Sequence, residues 1–125
     1  MMRVAVGLGF RADVTVAQFE AAIRAALGHY PSAQPAVVAT LDEKSRAAAL
    51  TALCAQYGWP LVAFGAAQLA ARPALSVSAP SAAALARFGI AGVAEPCAQL
   101  AAPHGRLLGP KFALDGVTVA LAGPL

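Results

Sequence analysis

Arg3-Val4-Ala5-Val6-Gly7-Leu8-Gly9-Phe10-Arg11, with the segment Thr15-Val16-Ala17-Gln18-Phe19 that follows it, is the stretch whose reading decides the fold. Arg3 to Leu8 is a short apolar run bounded by glycine, which is the pattern of a buried strand. Thr15-x-x-Gln18 has capping-box spacing, and Val16, Phe19, Ile23 and Leu27 then recur at helical intervals until Gly28 ends the pattern. A strand, a loop and an amphipathic helix open the chain.

The alternation continues. Pro35 opens the apolar run Ala36 to Leu41, Glu43 to Tyr57 reads as a second helix with Leu50 and Leu53 inward, and Leu61 to Phe64 is a third strand. A short helix around Ala66 to Ala70, a weak fourth strand from Ala74 to Ser78 and a helix from Pro80 to Phe88 precede another helix at Glu95. Arg106 to Leu108 and Val117 to Leu121, with Asp115-Gly116 as turn chemistry, are expected to close the sheet as a hairpin-like pair. The expected class is α/β: a single three-layer domain over residues 1–125, its mostly parallel sheet covered by helices on both faces and finished by an antiparallel element.

Composition narrows the function. A chain of 125 residues makes one domain, with about two thirds of its unfolded surface buried. It is 59% hydrophobic and carries no charge from Ala47 to Ala71, long enough to span a bilayer. Alanine dominates that stretch, and Gln56, Gly58-Trp59-Pro60 and Gln68 interrupt it, so a helix, turn, strand and second helix account for it better. Met1-Met2-Arg3 runs straight into the first strand pattern and Arg11 ends the apolar run too early for a secretory segment, so a cytoplasmic location is expected. Cys54 and Cys97 read as free thiols, and His29 and His104 lack ligand spacing, so neither a metal nor a cofactor is expected. A net charge of +3 without a Lys/Arg cluster speaks against nucleic acid and suits an anionic small molecule.

In an open sheet, ligands occupy the crevice beyond the carboxyl ends of the strands. Gly7 and Gly9 would let a ligand approach the backbone there, unless they only make a tight turn. Arg11 is placed to meet a carboxylate; Asp42, Lys44, Ser78 and Glu95 follow later strands or turns, and Lys111 lies beyond Leu107-Leu108. Arg11 and Lys44 read equally as solvated surface charges, and Asp42 as a cap on the second helix. Glu95 is the strongest candidate, being the only carboxylate side chain between Lys44 and Leu114. With Pro96 at the first helical position, Glu95 is expected at the N-cap, where glutamate is a poor choice unless it faces something else. Cys97 in the first turn is a conceivable thiolate, and Trp59 reads as a packing anchor. Gly7-x-Gly9-x-x-Ala12 with Asp42 also matches a relaxed dinucleotide fingerprint, although the cap at Thr15 lies six residues past Gly9.

Read together, Gly92-Val93-Ala94-Glu95-Pro96-Cys97-Ala98, Leu107-Leu108-Gly109-Pro110-Lys111 and Val117-Thr118-Val119-Ala120 resemble the CobE/CbiG C-terminal domain family of cobalamin biosynthesis. Val4 to Arg11 and Thr40-Leu41-Asp42-Glu43-Lys44 agree with that family's first two strand-to-loop junctions, and the likeness is closer to the stand-alone CobE type. The resemblance implies a corrinoid or precorrin ligand, its rim carboxylates meeting backbone amides and the cations, its macrocycle meeting Ala, Leu and Phe10 surfaces. It implies a carrier of that intermediate or an accessory to another pathway enzyme. By likeness to CbiG the alternative is a hydrolase that opens a precorrin lactone, with Glu95 as general base or proton donor. Phe10 stands where the CbiG pattern commonly has Cys, and Cys97 where the family usually has a small residue such as Ala. A nucleotide-binding domain and a small subunit of a larger enzyme are the rival readings.

Overall fold

A computed structural model describes residues 2–70 and 92–125. The first strand, β1 (Met2–Phe10), leads through a short loop into α1 (Val16–Leu27), then β2 (Ala33–Leu41), α2 (Ala48–Tyr57), β3 (Leu61–Phe64) and α3 (Ala66–Ala70). After the undescribed stretch come α4 (Ala94–Ala101), β4 (Arg106–Leu107), β5 (Phe112–Leu114) and β6 (Val117–Gly123). The expected strand Ala74–Ser78, the helix from Pro80 and the candidate Ser78 lie outside the described residues.

The sheet runs β3-β2-β1-β6-β4, with β5 also on β6. β1, β2 and β3 are parallel, whereas β6 is antiparallel to β1, β4 and β5, so the sheet is mixed rather than mostly parallel. The antiparallel part is larger than expected because two separate short strands, not one, pair with β6. The two-residue turn is the one the sequence announces: Asp115 and Gly116 have φ of 50° and 82°, both positive, as a hairpin turn of this length requires. Its partner strand is Phe112–Leu114, with Leu114 opposite Val117, while Arg106 and Leu107 pair with Gly123 and Ala122 at the other end of β6.

Alternation along β1 gives the sheet two different faces. Val4, Val6 and Leu8 point into a large-residue core with Phe19 and Ile23 of α1, Leu50 and Leu53 of α2, and Val117, Val119 and Leu121 of β6. Ala5, Ala120 and Ala122 face the other way, against Ala94, Ala98 and Ala102. Beside that alanine layer, Ala39 and Leu41 of β2 meet Leu69 of α3 and Cys97 of α4. Among the described residues no helix is long and apolar enough to cross a membrane.

Local boundaries follow from backbone chemistry. The capping box forms as read: Gln18 N–H donates to Thr15 Oγ1 at 3.2 Å, and Thr15 N–H to Gln18 Oε1 at 2.9 Å. β2 starts before Pro35, and the register with β1 slips between Val4 and Ala5, next to the Val4–Pro35 pair, where a proline has no amide to give the ladder. The second helix starts later than Glu43, because Asp42–Lys44 form a single 3-10 turn and α2 begins only after Ala47. Asp42 therefore does not cap α2; its carbonyl accepts from Ser45 N–H and from Ser45 Oγ at 2.8 Å. Gly58, with φ of 70°, ends α2 in the left-handed conformation.

Candidate functional site at the carboxyl ends of β1 and β2

β1 and β2 are parallel, so Phe10 and Leu41 end on the same side of the sheet. The 3-10 turn brings Lys44 back over β1: its Nζ donates to the Phe10 carbonyl at 2.8 Å and lies 5.2 Å from the centre of the Phe10 ring. That ring meets Phe19 edge-on at 4.8 Å, which ties the rim of the site to the core. Below them, Thr40 Oγ1 donates to the Leu8 carbonyl at 2.8 Å inside the fold. Arg11 is exposed; its amide donates to the Gly116 carbonyl at 3.1 Å and its side-chain carbons lie beside Gly116, over the hairpin turn. Two cations and one aromatic ring thus border the end of β1.

The first turn of α4 reaches the same end from the opposite face to α1. Glu95 sits there only 1% exposed, a glutamate buried as deeply as the aliphatic core. It is not the N-cap. Val93 is, because Cys97 N–H donates to the Val93 carbonyl at 3.1 Å, which places Ala94 first, Glu95 second and Pro96 third in the helix. Proline is accommodated at that third position because the first amides of a helix have no intrahelical acceptor.

The two glycines of β1 play different parts. The space above Gly7 is filled by α4: a Cβ there would fall on the Ala94 carbonyl oxygen and 2.7 Å from the Ala98 amide nitrogen. What approaches the Gly7 backbone is a helix, not a ligand. Gly9, further along, has Val93 Cβ at 3.5 Å and Thr118 Cβ at 3.9 Å as its near neighbours, ordinary contacts at the mouth of the site. Both glycines lie inside the strand, whereas a dinucleotide fingerprint needs them in the turn that opens the helix, and α1 starts only after Thr15.

Cys97 is fully buried against Ala39, Leu41 and Leu69, and burial pushes its thiol up to about 12. Loss of solvent outweighs any help from the helix end, so Cys97 is a packing residue and no nucleophile. Trp59 likewise packs against the core and stacks on Tyr57 at 4.5 Å. Among the described residues no group of three His, Cys, Asp or Glu side chains is placed to hold a metal. Of the candidates, Gly9, Phe10, Arg11, Asp42, Lys44 and Glu95 share the carboxyl end of the sheet. Lys111 does not: it lies on the face that carries α1, beside His29 and Phe112.

Comparison with known proteins places this architecture. The family described as cobalamin synthesis G C-terminus matches residues 4–122. A search of curated proteins finds no match. Among solved structures, CobE, a protein from the cobalamin (vitamin B12) biosynthetic pathway, is similar at 26% identity over 97% of this chain and 89% of its own, with a TM-score of 0.85. The cobalamin biosynthesis protein chiG from Agrobacterium tumefaciens str. C58 shares the fold at 24% identity and a TM-score of 0.71, over 95% of this chain and 96% of its own. A cobalamin biosynthesis protein G homolog from Sulfolobus solfataricus shares it at 16% identity and a TM-score of 0.73; 99% of this chain aligns with only 37% of that one. With its family match running from β1 to the end of β6, the chain belongs to the cobalamin synthesis G C-terminus family, the CobE/CbiG group of cobalamin-biosynthesis proteins.

Proposed function

We propose that the chain binds a corrinoid or precorrin intermediate at the carboxyl end of β1 and β2, as a carrier or as an accessory to another enzyme of the pathway in the cytoplasm. The observations that carry this reading are the grouping of Arg11, Lys44 and the Phe10 ring around the end of β1 and, on the opposite face of the sheet, the buried Glu95 in the first turn of α4. Cations suit the acetate and propionate groups of a corrin rim, and the aromatic edge suits its macrocycle. The likeness to CobE, a protein from the cobalamin biosynthetic pathway, supports a place in that pathway.

A second reading keeps Glu95 as a general base toward water on a precorrin lactone. Its favouring observation is the same burial, which keeps bulk water away from the carboxylate. Titration of the purified chain with hydrogenobyrinic acid and with a cobalt corrinoid, followed by absorbance and calorimetry, tests the first reading. Product analysis for the ring-opened hydroxy acid in the same samples, using a lactone-bearing precorrin, tests the second. Saturable binding lost in Glu95→Gln, with no ring-opened product, is the carrier result; absence of binding to every corrinoid overturns it.

A further inference from the structure

Away from the carboxyl end of β1, the molecule holds a cavity of about 300 Å³ beside the carboxyl end of α1. That is the lower end of the range used for small-molecule sites. It lies on the α1 face of the sheet, whereas α4 and Glu95 lie on the other, so the two places share no wall.

The inner wall is apolar and rigid: Ala26, Val119 and Leu121 are each at most 5% exposed. The outer wall is the segment from Leu108 to Phe112, and two contacts pin it. Tyr30 Oη donates to the Leu108 carbonyl at 2.9 Å, and Leu108 N–H donates to the Leu121 carbonyl at 2.9 Å. Gly109 is required for the first contact, because a Cβ there would fall on the Tyr30 hydroxyl oxygen. The cavity is therefore preformed.

Its polar lining offers donors for an anion: His29, with its ring 6.0 Å from that of Phe112, and Lys111 border it beside the Tyr30 hydroxyl, and no carboxylate is among the described lining residues. We propose that this cavity is a second binding site, for a small organic anion with an apolar body of about one ring and a single carboxylate or phosphate group. The body occupies the space between Val119 and Phe112 and the charged group meets Lys111 and the His29 imidazole. Lys111 thus belongs to this site and not to the one at the end of β1, and the two proposals stand independently.

Benzoate is the probe and benzyl alcohol its uncharged counterpart. The chain has two histidines, and His104, exposed in the α4–β4 loop, is an internal reference. Expected is a saturable shift of the His29 imidazole proton resonance with benzoate and none at His104, with benzyl alcohol at least about fivefold weaker. Lys111→Met keeps the aliphatic stem and should weaken benzoate by about fivefold in a protein that remains folded by its melting transition. Phenyl phosphate in place of benzoate shows which anionic group is preferred, and tighter binding of either supports the site. The proposal is overturned by parallel drift of both histidines, by equal affinity for benzyl alcohol, or by unaltered benzoate affinity in a folded Lys111→Met protein.

Discussion

Gly7 lies directly beneath Ala94, so close that the missing Cβ would overlap the Ala94 carbonyl oxygen. Ala98 adds its amide nitrogen at 2.7 Å, and neither main-chain atom can swing aside. Gly7→Ala must push α4 off the sheet and is expected to destabilise the fold by about 3 kcal/mol. Gly9→Ala meets only ordinary contacts, the nearest at 3.5 Å, and should cost under about 1 kcal/mol. Urea unfolding of the two variants checks this, and similar midpoints would contradict the close helix approach.

Lys44 joins the ends of β1 and β2 through its 2.8 Å bond to the Phe10 carbonyl. Lys44→Met retains the stem but removes the donor, and a loss of about 1 kcal/mol in stability is expected. If the carboxyl end binds a corrinoid rim, the same change weakens hydrogenobyrinic acid by roughly tenfold, since charge-assisted bonds to carboxylates are among the stronger contacts. Calorimetry on the folded variant reads both; unchanged affinity would remove Lys44 from the site.

Cys97 makes stability depend on alkaline pH. Burial raises its thiol from 9.0 to about 12, so between those values the unfolded chain has lost the proton that the folded chain retains. The stabilising contribution is fully present below pH 9.0 and is lost as pH rises toward about 12, at up to about 1.4 kcal/mol per pH unit. Chemical unfolding at stepped pH, with Cys97→Ala as reference, should show the parent losing its advantage over that window. Iodoacetamide should label Cys97 only in denaturant; rapid labelling of the folded protein would be inconsistent with this burial.

Gly116 holds φ of 82° with Arg11 Cδ only 3.2 Å from where a Cβ would be. Gly116→Ala therefore combines backbone strain with crowding, and an expected loss of about 1–2 kcal/mol follows. Asp115→Asn, whose φ of 50° asparagine also tolerates, should be nearly neutral. Thermal melting of the pair distinguishes the two positions.

What the sequence made legible was chiefly local. Thr15 with Gln18, Gly58 and Asp115-Gly116 each carry their own backbone instruction, and each was realised where it was read. Phe112–Leu114 escaped notice because three residues are too few to show alternation. The late start of α2 escaped because Ala47 caps it with no side chain, while Asp42 and Ser45 spend their bonding on the preceding turn. Glu95 was recognised as exceptional but set two positions too early, since proline suits any of the first helical positions and not the first alone. Gly7 shows the deeper limit. A glycine announces that something comes close, yet whether that is a ligand or a helix from the far end of the chain is decided by tertiary structure.

Gathering Phe10, Arg11, Asp42 and Lys44 at one end needed only the rule that loops after parallel strands share a side. Separating Lys111 from them required knowing that β5 turns it toward His29, which no local pattern carries.

The layer between α4 and the sheet contains Ala5, Ala94, Ala98, Ala102, Ala120 and Ala122, with no long side chain among them. Such a contact works like a set of thin shims. Enlarging one alanine by a methylene or two would raise the helix and carry the Glu95 carboxylate outward with it, although no residue at the site had changed. The position of that carboxylate is thus set from beneath, by residues that never touch the site.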